Sequence, residues 1–132
     1  MRKLTIAVAA VLALCGGAWA DPATGIWKTA EGEDGGYLHV SIAPCGSAIC
    51  GTINTAVDKD GNVSNDYPHL GKKLLWDMQS KGDGAYSGGK IWAPDVDKTY
   101  GSKMTLKGNT LTVKGCVAGG LVCRGQDWKR LK

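Results

Sequence analysis

The sequence predicts an all-β protein whose strands pair antiparallel. No long stretch shows the 3.6-residue apolar repeat of an amphipathic helix. Glycine occurs 20 times in 132 residues, and turn signals recur about every ten residues. Short strands that alternate with tight turns at this spacing are typical of a sandwich or a barrel. Four cysteines downstream of the N-terminal segment further indicate covalent cross-links in a small domain.

The first 20 residues have the pattern of a secretory signal peptide. Arg2 and Lys3 precede an apolar run from Leu4 to Leu14, and Ala18-Trp19-Ala20 forms a cleavage motif before Asp21. The run is too short to span a bilayer, which needs about 20 apolar residues. We therefore expect cleavage after Ala20 and one exported, periplasmic domain over residues 21–132.

Lipid attachment at Cys15 is the alternative interpretation of this segment. Bacterial lipoproteins place a small residue directly before the modified cysteine, whereas Leu14 precedes Cys15 here. Cleavage after Ala20 is therefore the favoured prediction.

The exported chain carries little net charge. Without Arg2 and Lys3 it has fourteen Lys and Arg against twelve Asp and Glu. These charges are interspersed, whereas a nucleic-acid-binding domain concentrates basic residues on one face. We expect no nucleic-acid partner, no transmembrane segment, no cofactor and no metal, and a monomer or weak dimer.

Eight predicted strands account for the segments between turns. The turns contain glycine, proline, asparagine and aspartate, which favour the backbone angles of tight connections. One connection is long, from Asp58 to about Lys72, and a long ordered loop in a small domain is often functional. The predicted strands are Thr24–Thr29, Tyr37–Ala43, Gly51–Val57, Lys73–Met78, Ala85–Ala93, Thr99–Lys107, Thr110–Val117 and Leu121–Leu131.

Four cysteines can form two disulfides in three ways. Their spacing favours two local pairs, Cys45–Cys50 and Cys116–Cys123. A zinc site is the alternative, but structural zinc uses closely spaced cysteine pairs, and Cys116 lies too far from Cys123. The even count in an exported domain favours disulfides.

The last hairpin can be aligned from its turn. If Gly119-Gly120 forms a two-residue turn, Ala118 faces Leu121, and Cys116 faces Cys123 at a distance that a disulfide spans. The same alignment separates an inward face from a polar outward face. The inward pairs, apolar apart from two polar side chains, are Leu111/Trp128, Val113/Gln126, Gly115/Arg124 and Val117/Val122.

Several motifs carry a family resemblance. Gly25-Ile26-Trp27 is similar to the G-x-W signature of lipocalins and other calycins, and Arg130 resembles the basic residue that packs over that tryptophan where the barrel closes. A longer series resembles the bacterial domain-of-unknown-function family 2147 and covers essentially all of residues 21–132. This resemblance implies an exported envelope protein with a lipocalin-like, eight-stranded, up-and-down barrel, and no established catalytic residues. The motifs are Pro44-Cys-Gly and Ile49-Cys-Gly51, Asp66-Tyr-Pro68, Tyr86-Ser-Gly-Gly-Lys-Ile91, Lys98-Thr-Tyr100, Leu111-Thr-Val-Lys-Gly-Cys116 and Cys123-Arg-Gly-Gln-Asp-Trp128.

The connections of an up-and-down barrel alternate between its two ends. The first, third, fifth and seventh connections would therefore share one end, which we predict to be the mouth. The opposite end, with Trp27, Arg130 and the Cys45–Cys50 turn, would be closed. The predicted mouth has an acid-rich rim formed by Glu31, Glu33, Asp34, Asp58, Asp60, Asp66, Asp95 and Asp97.

Eight-stranded barrels are either filled by side chains or hold one small ligand. The first functional hypothesis is a binding protein for a small, partly hydrophobic molecule, such as an acyl chain with an anionic head. Arg124 and Gln126 would orient the ligand near the mouth. A solid core, in which Arg124 pairs with a rim carboxylate, is the structural alternative. The predicted apolar lining is Ile91, Tyr100, Met104, Leu111, Val113 and Trp128.

Two other functional classes are considered. A filled barrel could act as an interaction or inhibitor module whose acidic rim binds an envelope protein, for example a basic one such as a lysozyme. An enzyme is disfavoured because no motif pairs a nucleophile with a base, although Asp95 and Asp97 are neighbouring carboxylates. The long loop begins as a plain turn rather than a calcium loop, because Gly61 and His69 occupy the fourth and twelfth positions from Asp58.

Overall fold

A computed structural model describes residues 21–132, so the predicted signal peptide and Cys15 lie outside the described residues. Eight antiparallel strands form a closed barrel in which each strand pairs with the next along the chain and the last pairs with the first. The predicted fold class is confirmed. Within residues 21–132, no helix is both long and apolar enough to cross a membrane. The strands are β1 (Gly25–Lys28), β2 (Tyr37–Cys45), β3 (Ala48–Val57), β4 (Lys73–Gly82), β5 (Ala85–Ala93), β6 (Lys98–Lys107), β7 (Thr110–Val117) and β8 (Val122–Arg130).

The strands at the closed end are longer than predicted. β2 continues through Pro44 to Cys45, and β4 continues from Met78 to Gly82. The polar and turn-forming residues there resemble loops in sequence, but their backbones extend the ladders to the ends of tight hairpins. Backbone pairing does not depend on side-chain polarity, and this explains the difference.

The predicted alignment of the last hairpin is confirmed from Val117↔Val122 down to Thr110↔Lys129. Both predicted disulfides are present, Cys45–Cys50 and Cys116–Cys123. The predicted Gly119-Gly120 turn is also present, because both glycines have positive φ, 67° and 93°, and the Leu121 amide donates to the Ala118 carbonyl at 3.3 Å. The ladder ends one pair before this turn, at Val117↔Val122. Ala118 has a φ of 54°, so residues 118–120 form a short 3-10 turn, and Ala118 and Leu121 lie outside the strands.

The closed end is built around Trp27, which is fully buried. The Arg130 guanidinium lies 4.4 Å from the centre of the Trp27 ring, a cation–π geometry. The same guanidinium donates to the carbonyl oxygens of Thr24 at 3.0 Å and Pro22 at 2.7 Å. The Trp27 indole N–H donates to the Ala23 carbonyl at 2.9 Å. These bonds hold the segment before β1 across the bottom of the barrel.

A hydrogen bond between Tyr86 and Asp21 is a second link between the N-terminal segment and the barrel at this end. The Tyr86 hydroxyl donates to Asp21 Oδ1 at 2.5 Å, and the same oxygen accepts the Ala23 amide at 2.8 Å. Burial, and then the hydrogen bond to Asp21, raise the pKa of Tyr86 well above its ordinary value. The phenol therefore stays protonated and remains a donor throughout the physiological pH range.

Gly25 is required by the same closure. Its φ is 146°, which favours glycine, and a Cβ there would overlap the Lys132 carbonyl oxygen and lie 2.9 Å from Arg130 Nη1. The Ile26 amide donates to that Lys132 carbonyl at 2.6 Å. The glycine of the G-x-W motif thus lets the end of the chain approach β1.

Candidate functional site

Connections one, three, five and seven share the mouth end, and all eight predicted rim carboxylates are exposed. Burial, and then the charges of Asp95 and Asp34, raise the pKa of Tyr67 above its ordinary value. Tyr67 belongs to the third connection, Asp95 to the fifth and Asp34 to the first. The first and third connections are also in contact, because a Cβ at Gly35 would lie 2.9 Å from Lys59 Cβ.

The long third connection is ordered by its own hydrogen bonds. Asp58 Oδ1 accepts the amides of Asp60 and Asn62, both at 2.9 Å. A carboxylate used in this way organises a turn, as the sequence predicts for this segment. Further along, the Gly71 amide donates to the Ile53 carbonyl at 2.8 Å, which ties the end of the loop to β3.

An aromatic cluster links this connection to β5. The His69 ring lies edge-on to Tyr67, with centroids 5.3 Å apart, and to Trp92, with centroids 5.0 Å apart. The Trp92 indole N–H donates to Asp97 Oδ1 at 2.8 Å. Tyr67 and Trp92 also pack against the core. Sequence reasoning missed this cluster, although two large aromatic residues beside polar turns were a usable signal.

Four of the predicted lining residues belong to the solid core. They have almost no exposed surface and pack in one cluster with Trp27 and Leu75. At this level of the barrel, side chains fill the interior, as is possible for eight strands. The four residues, with their exposed fractions, are Met104 (2%), Leu111 (0%), Val113 (2%) and Trp128 (1%).

The other predicted residues lie above this layer. Arg124 and Gln126 occupy inward positions of β8 in the β7–β8 alignment, yet both are exposed. Ile91 and Tyr100 are half-buried and meet over Gly115, where a Cβ would lie 3.5 Å from an atom of each side chain. We call Ile91, Tyr100, Gly115, Arg124 and Gln126 the upper inner face.

Gln126 forms the boundary between the two levels. Its Oε1 accepts the Trp128 indole N–H at 2.7 Å and the Ala30 amide at 3.4 Å. The buried indole is thereby satisfied, which a buried donor requires. The amide NH₂ group of Gln126 stays available on the exposed side.

The ladder between β1 and β8 is short. Their register consists of Trp27↔Arg130 and Lys28↔Lys129, because β1 ends at Lys28. Toward the mouth, β8 continues from Asp127 to Val122 along β7 alone, beyond the end of β1. Arg124 and Gln126 of the upper inner face therefore lie on a part of β8 that has no strand partner on its β1 side.

Exposed apolar side chains concentrate at the mouth end, which sequence reasoning did not anticipate. Within residues 21–132, six of the seven large apolar residues that are exposed belong to the third, fifth and seventh connections or to the strand ends beside them. Leu131 is the seventh and follows β8 at the closed end. The six, with exposed fractions, are Val63 (58%), Leu70 (37%), Val96 (52%), Val117 (47%), Leu121 (87%) and Val122 (58%).

Comparison with known proteins supports the fold and the family. A solved structure described as "Protein HP1028 from the human pathogen Helicobacter pylori belongs to the lipocalin family" superposes with a TM-score of 0.66 at 22% identity. The match covers 83% of this chain and 82% of that one. No curated protein matches the chain. Residues 25–130 match the model of a family described as "Uncharacterized protein conserved in bacteria (DUF2147)". With this match, and with a closed lipocalin-like barrel, the chain belongs to the DUF2147 family.

Proposed function

We propose that the domain binds a small, partly hydrophobic molecule against the upper inner face. The change in exposure along the inward side of β8 carries this proposal. Trp128 is 1% exposed, whereas the next two inward positions, Gln126 and Arg124, are exposed. Inward side chains of a closed barrel stay exposed where the interior opens to solvent. Small ligands bind at such barrel mouths.

The chemistry of the upper inner face suggests an amphipathic anion. Ile91 and Tyr100 offer apolar surface, while Arg124 supplies a cation and Gln126 an amide donor. The core layer below the upper inner face is filled by side chains, so a ligand cannot enter deeply. Its hydrocarbon part would therefore lie across the mouth rather than along the barrel axis. The similarity to a protein described as a lipocalin supports a binding role, because that fold typically holds one small ligand rather than an enzyme active site.

Titration with dodecanoate tests this proposal. We expect Arg124→Leu to weaken dodecanoate binding about ten- to a hundredfold, the range for losing a charge-assisted hydrogen bond. Lys90→Leu is the matched control, because Lys90 is exposed on β5 outside the upper inner face. Calorimetry measures the affinities, and a denaturant midpoint checks that each variant folds. Equal affinities for the wild type and Arg124→Leu would exclude the role of Arg124.

A second candidate function is an interaction module that acts through the rim. Its supporting observation is that exposed apolar side chains, such as Leu121 and Val96, share the mouth end with eight exposed carboxylates. An apolar surface ringed by acids fits a basic protein partner. Hen lysozyme is the probe that we propose. Binding that falls steeply between low and high salt would support this function, and no binding at low salt would reject it.

We further propose that the protein is exported to the periplasm. The two disulfides support an oxidising compartment. Intact mass of the protein purified from the bacterial periplasm tests the proposal. We expect a chain that begins at Asp21 and has a mass four hydrogens below the reduced value. A chain that keeps its N-terminal segment in the cytoplasmic fraction would contradict it.

A further inference from the structure

We propose that the outer wall of the barrel carries a second binding site, specific for a phosphate-bearing anion and independent of the mouth. The site is a depression of about 270 Å³ across β4 to β7. Tyr86 and Met104 form its floor, and both belong to the core, with exposed fractions of 3% and 2%. Their neighbours along β5 and β6 therefore face outward. The outward residues that line the depression, which we call the wall site, are Lys81, Ala85, Ser87, Lys103, Thr105 and Lys114.

Three lysines converge on the wall site. Lys103 and Lys114 are direct cross-strand partners, and Lys81 reaches the same depression from β4. Like charges directly opposite each other destabilise a sheet. Gly125, the β8 partner of Lys114, leaves room for the Lys114 side chain, because a Cβ at Gly125 would lie only 3.1 Å from Lys114 Cγ. An anion bound between the ammonium groups would relieve their repulsion.

A β-bulge lies at the wall site. The β5–β6 register passes from Tyr86↔Met104 to Gly89↔Ser102, so two residues of β5 face Lys103 alone. These two are Ser87 and Gly88, and Gly88 has a φ of 78°. A bulge interrupts the ladder and leaves an extra residue unpaired. Ser87 and Thr105, whose cross-strand partner is Ala85, also line the wall site, so two hydroxyl groups lie beside its cations.

The wall site has a local excess of positive charge, although residues 21–132 together are nearly neutral, with fourteen Lys and Arg against twelve Asp and Glu. Three lysines line the wall site, and no carboxylate of the described residues does. This local field attracts anions.

A phosphate group fits this donor set. Lysine binds phosphate as a point charge, and hydroxyl groups complement its several acceptor oxygens. The depression is larger than one phosphate group, so part of the molecule that carries the phosphate, here called the carrier, could enter with it. The carrier could be a free phosphorylated molecule or a phospholipid headgroup.

Calorimetric titration with inorganic pyrophosphate at low ionic strength tests the proposal. We expect the double variant Lys103→Gln/Lys114→Gln to bind about 25-fold more weakly than the wild type, at roughly fivefold for each lost contact with a screened charge. The matched control is Lys90→Gln/Lys107→Gln, which removes two exposed lysines of β5 and β6 that lie outside the wall site. The control should bind as the wild type does.

Vesicle sedimentation distinguishes the two sources of phosphate. Binding to phosphatidylglycerol vesicles that the Lys103/Lys114 variant loses, with no binding to phosphatidylcholine, assigns a lipid headgroup. Pyrophosphate binding without vesicle binding assigns a free phosphorylated ligand. The proposal is overturned if neither probe binds at millimolar concentration, or if both double variants weaken binding equally, because only unspecific charge then acts.

Discussion

The two ends of the barrel differ in whether their polar and apolar groups are satisfied within the protein or exposed to solvent. At the closed end, Arg130 satisfies two backbone carbonyls and covers Trp27, and Tyr86 is bonded to Asp21. At the mouth end, carboxylates and large apolar side chains such as Leu121 are exposed together. This difference indicates that the closed end contributes to stability, whereas the mouth end is available for contact with other molecules. Substitutions at the closed end should therefore cost stability, whereas those at the mouth should change binding.

The largest contrast is expected between two tryptophans. Trp27→Ala should lower the free energy of unfolding by about 3–5 kcal/mol, the usual cost of emptying a buried aromatic site. Trp92→Ala should cost about 1 kcal/mol, because Trp92 is half-buried and loses the hydrogen bond to Asp97 and its contact with His69. Urea unfolding measures both. Equal losses would contradict the assignment of stability to the closed end.

Two glycines sharpen the comparison at the level of the backbone. Gly25→Ala should cost more than 2 kcal/mol, since the new Cβ meets the Lys132 carbonyl and Arg130. Gly120→Ala should cost only about 1 kcal/mol, because Gly120 also has positive φ but has nothing within 4 Å of its Cβ position. Thermal unfolding of both variants measures the difference. A larger loss for Gly120→Ala would reverse the argument.

The two disulfides probe the same contrast. Removing Cys45–Cys50 by paired serine substitutions should cost about 2 kcal/mol in the chain-entropy model. Removing Cys116–Cys123 should cost less, because the exposed tip between β7 and β8 can fray and regain entropy in the folded state. Hydrogen exchange should then become faster at residues 117–122 alone. Protection that stays unchanged at the tip would show that it is rigid without its disulfide.

The smallest effect is expected from alkaline pH. Because the folded pKa of Tyr86 is raised, the unfolded chain releases this proton first, from about pH 10 upward. The contribution of Tyr86 to the free energy of unfolding should be constant below about pH 10 and should fall above it. Tyr86→Phe should flatten that decline more than Tyr67→Phe, since Tyr86 is additionally bonded to Asp21. Denaturant midpoints between pH 8 and about pH 11 measure the slopes.

Much of the fold was predictable from the sequence, but the candidate site was predictable only in part. Turn chemistry and strand periodicity predicted all eight strands, and cysteine spacing predicted both disulfides. The alternation of the last hairpin also predicted the register that pairs Arg124 with Gly115 and Gln126 with Val113. It could not predict that Trp128 is buried while Arg124 is exposed, because alternation fixes the side of a strand and not the depth within a barrel.

By itself, the sequence determined the number of strands, the register of the last hairpin and the covalent links. These depend on local periodicity, turn residues and spacing along the chain. The order of the strands in a barrel, and Trp27 and Arg130 as the residues that close it, were implied by the family resemblance. Only the tertiary structure decided how far the core fills the interior, where the β1–β8 ladder ends, and that Lys81, Lys103 and Lys114 line one depression beside a bulge. Those features depend on the length of β1 and on which strands become neighbours when the barrel closes. Such neighbours come from distant parts of the chain, so local sequence patterns do not predict these features.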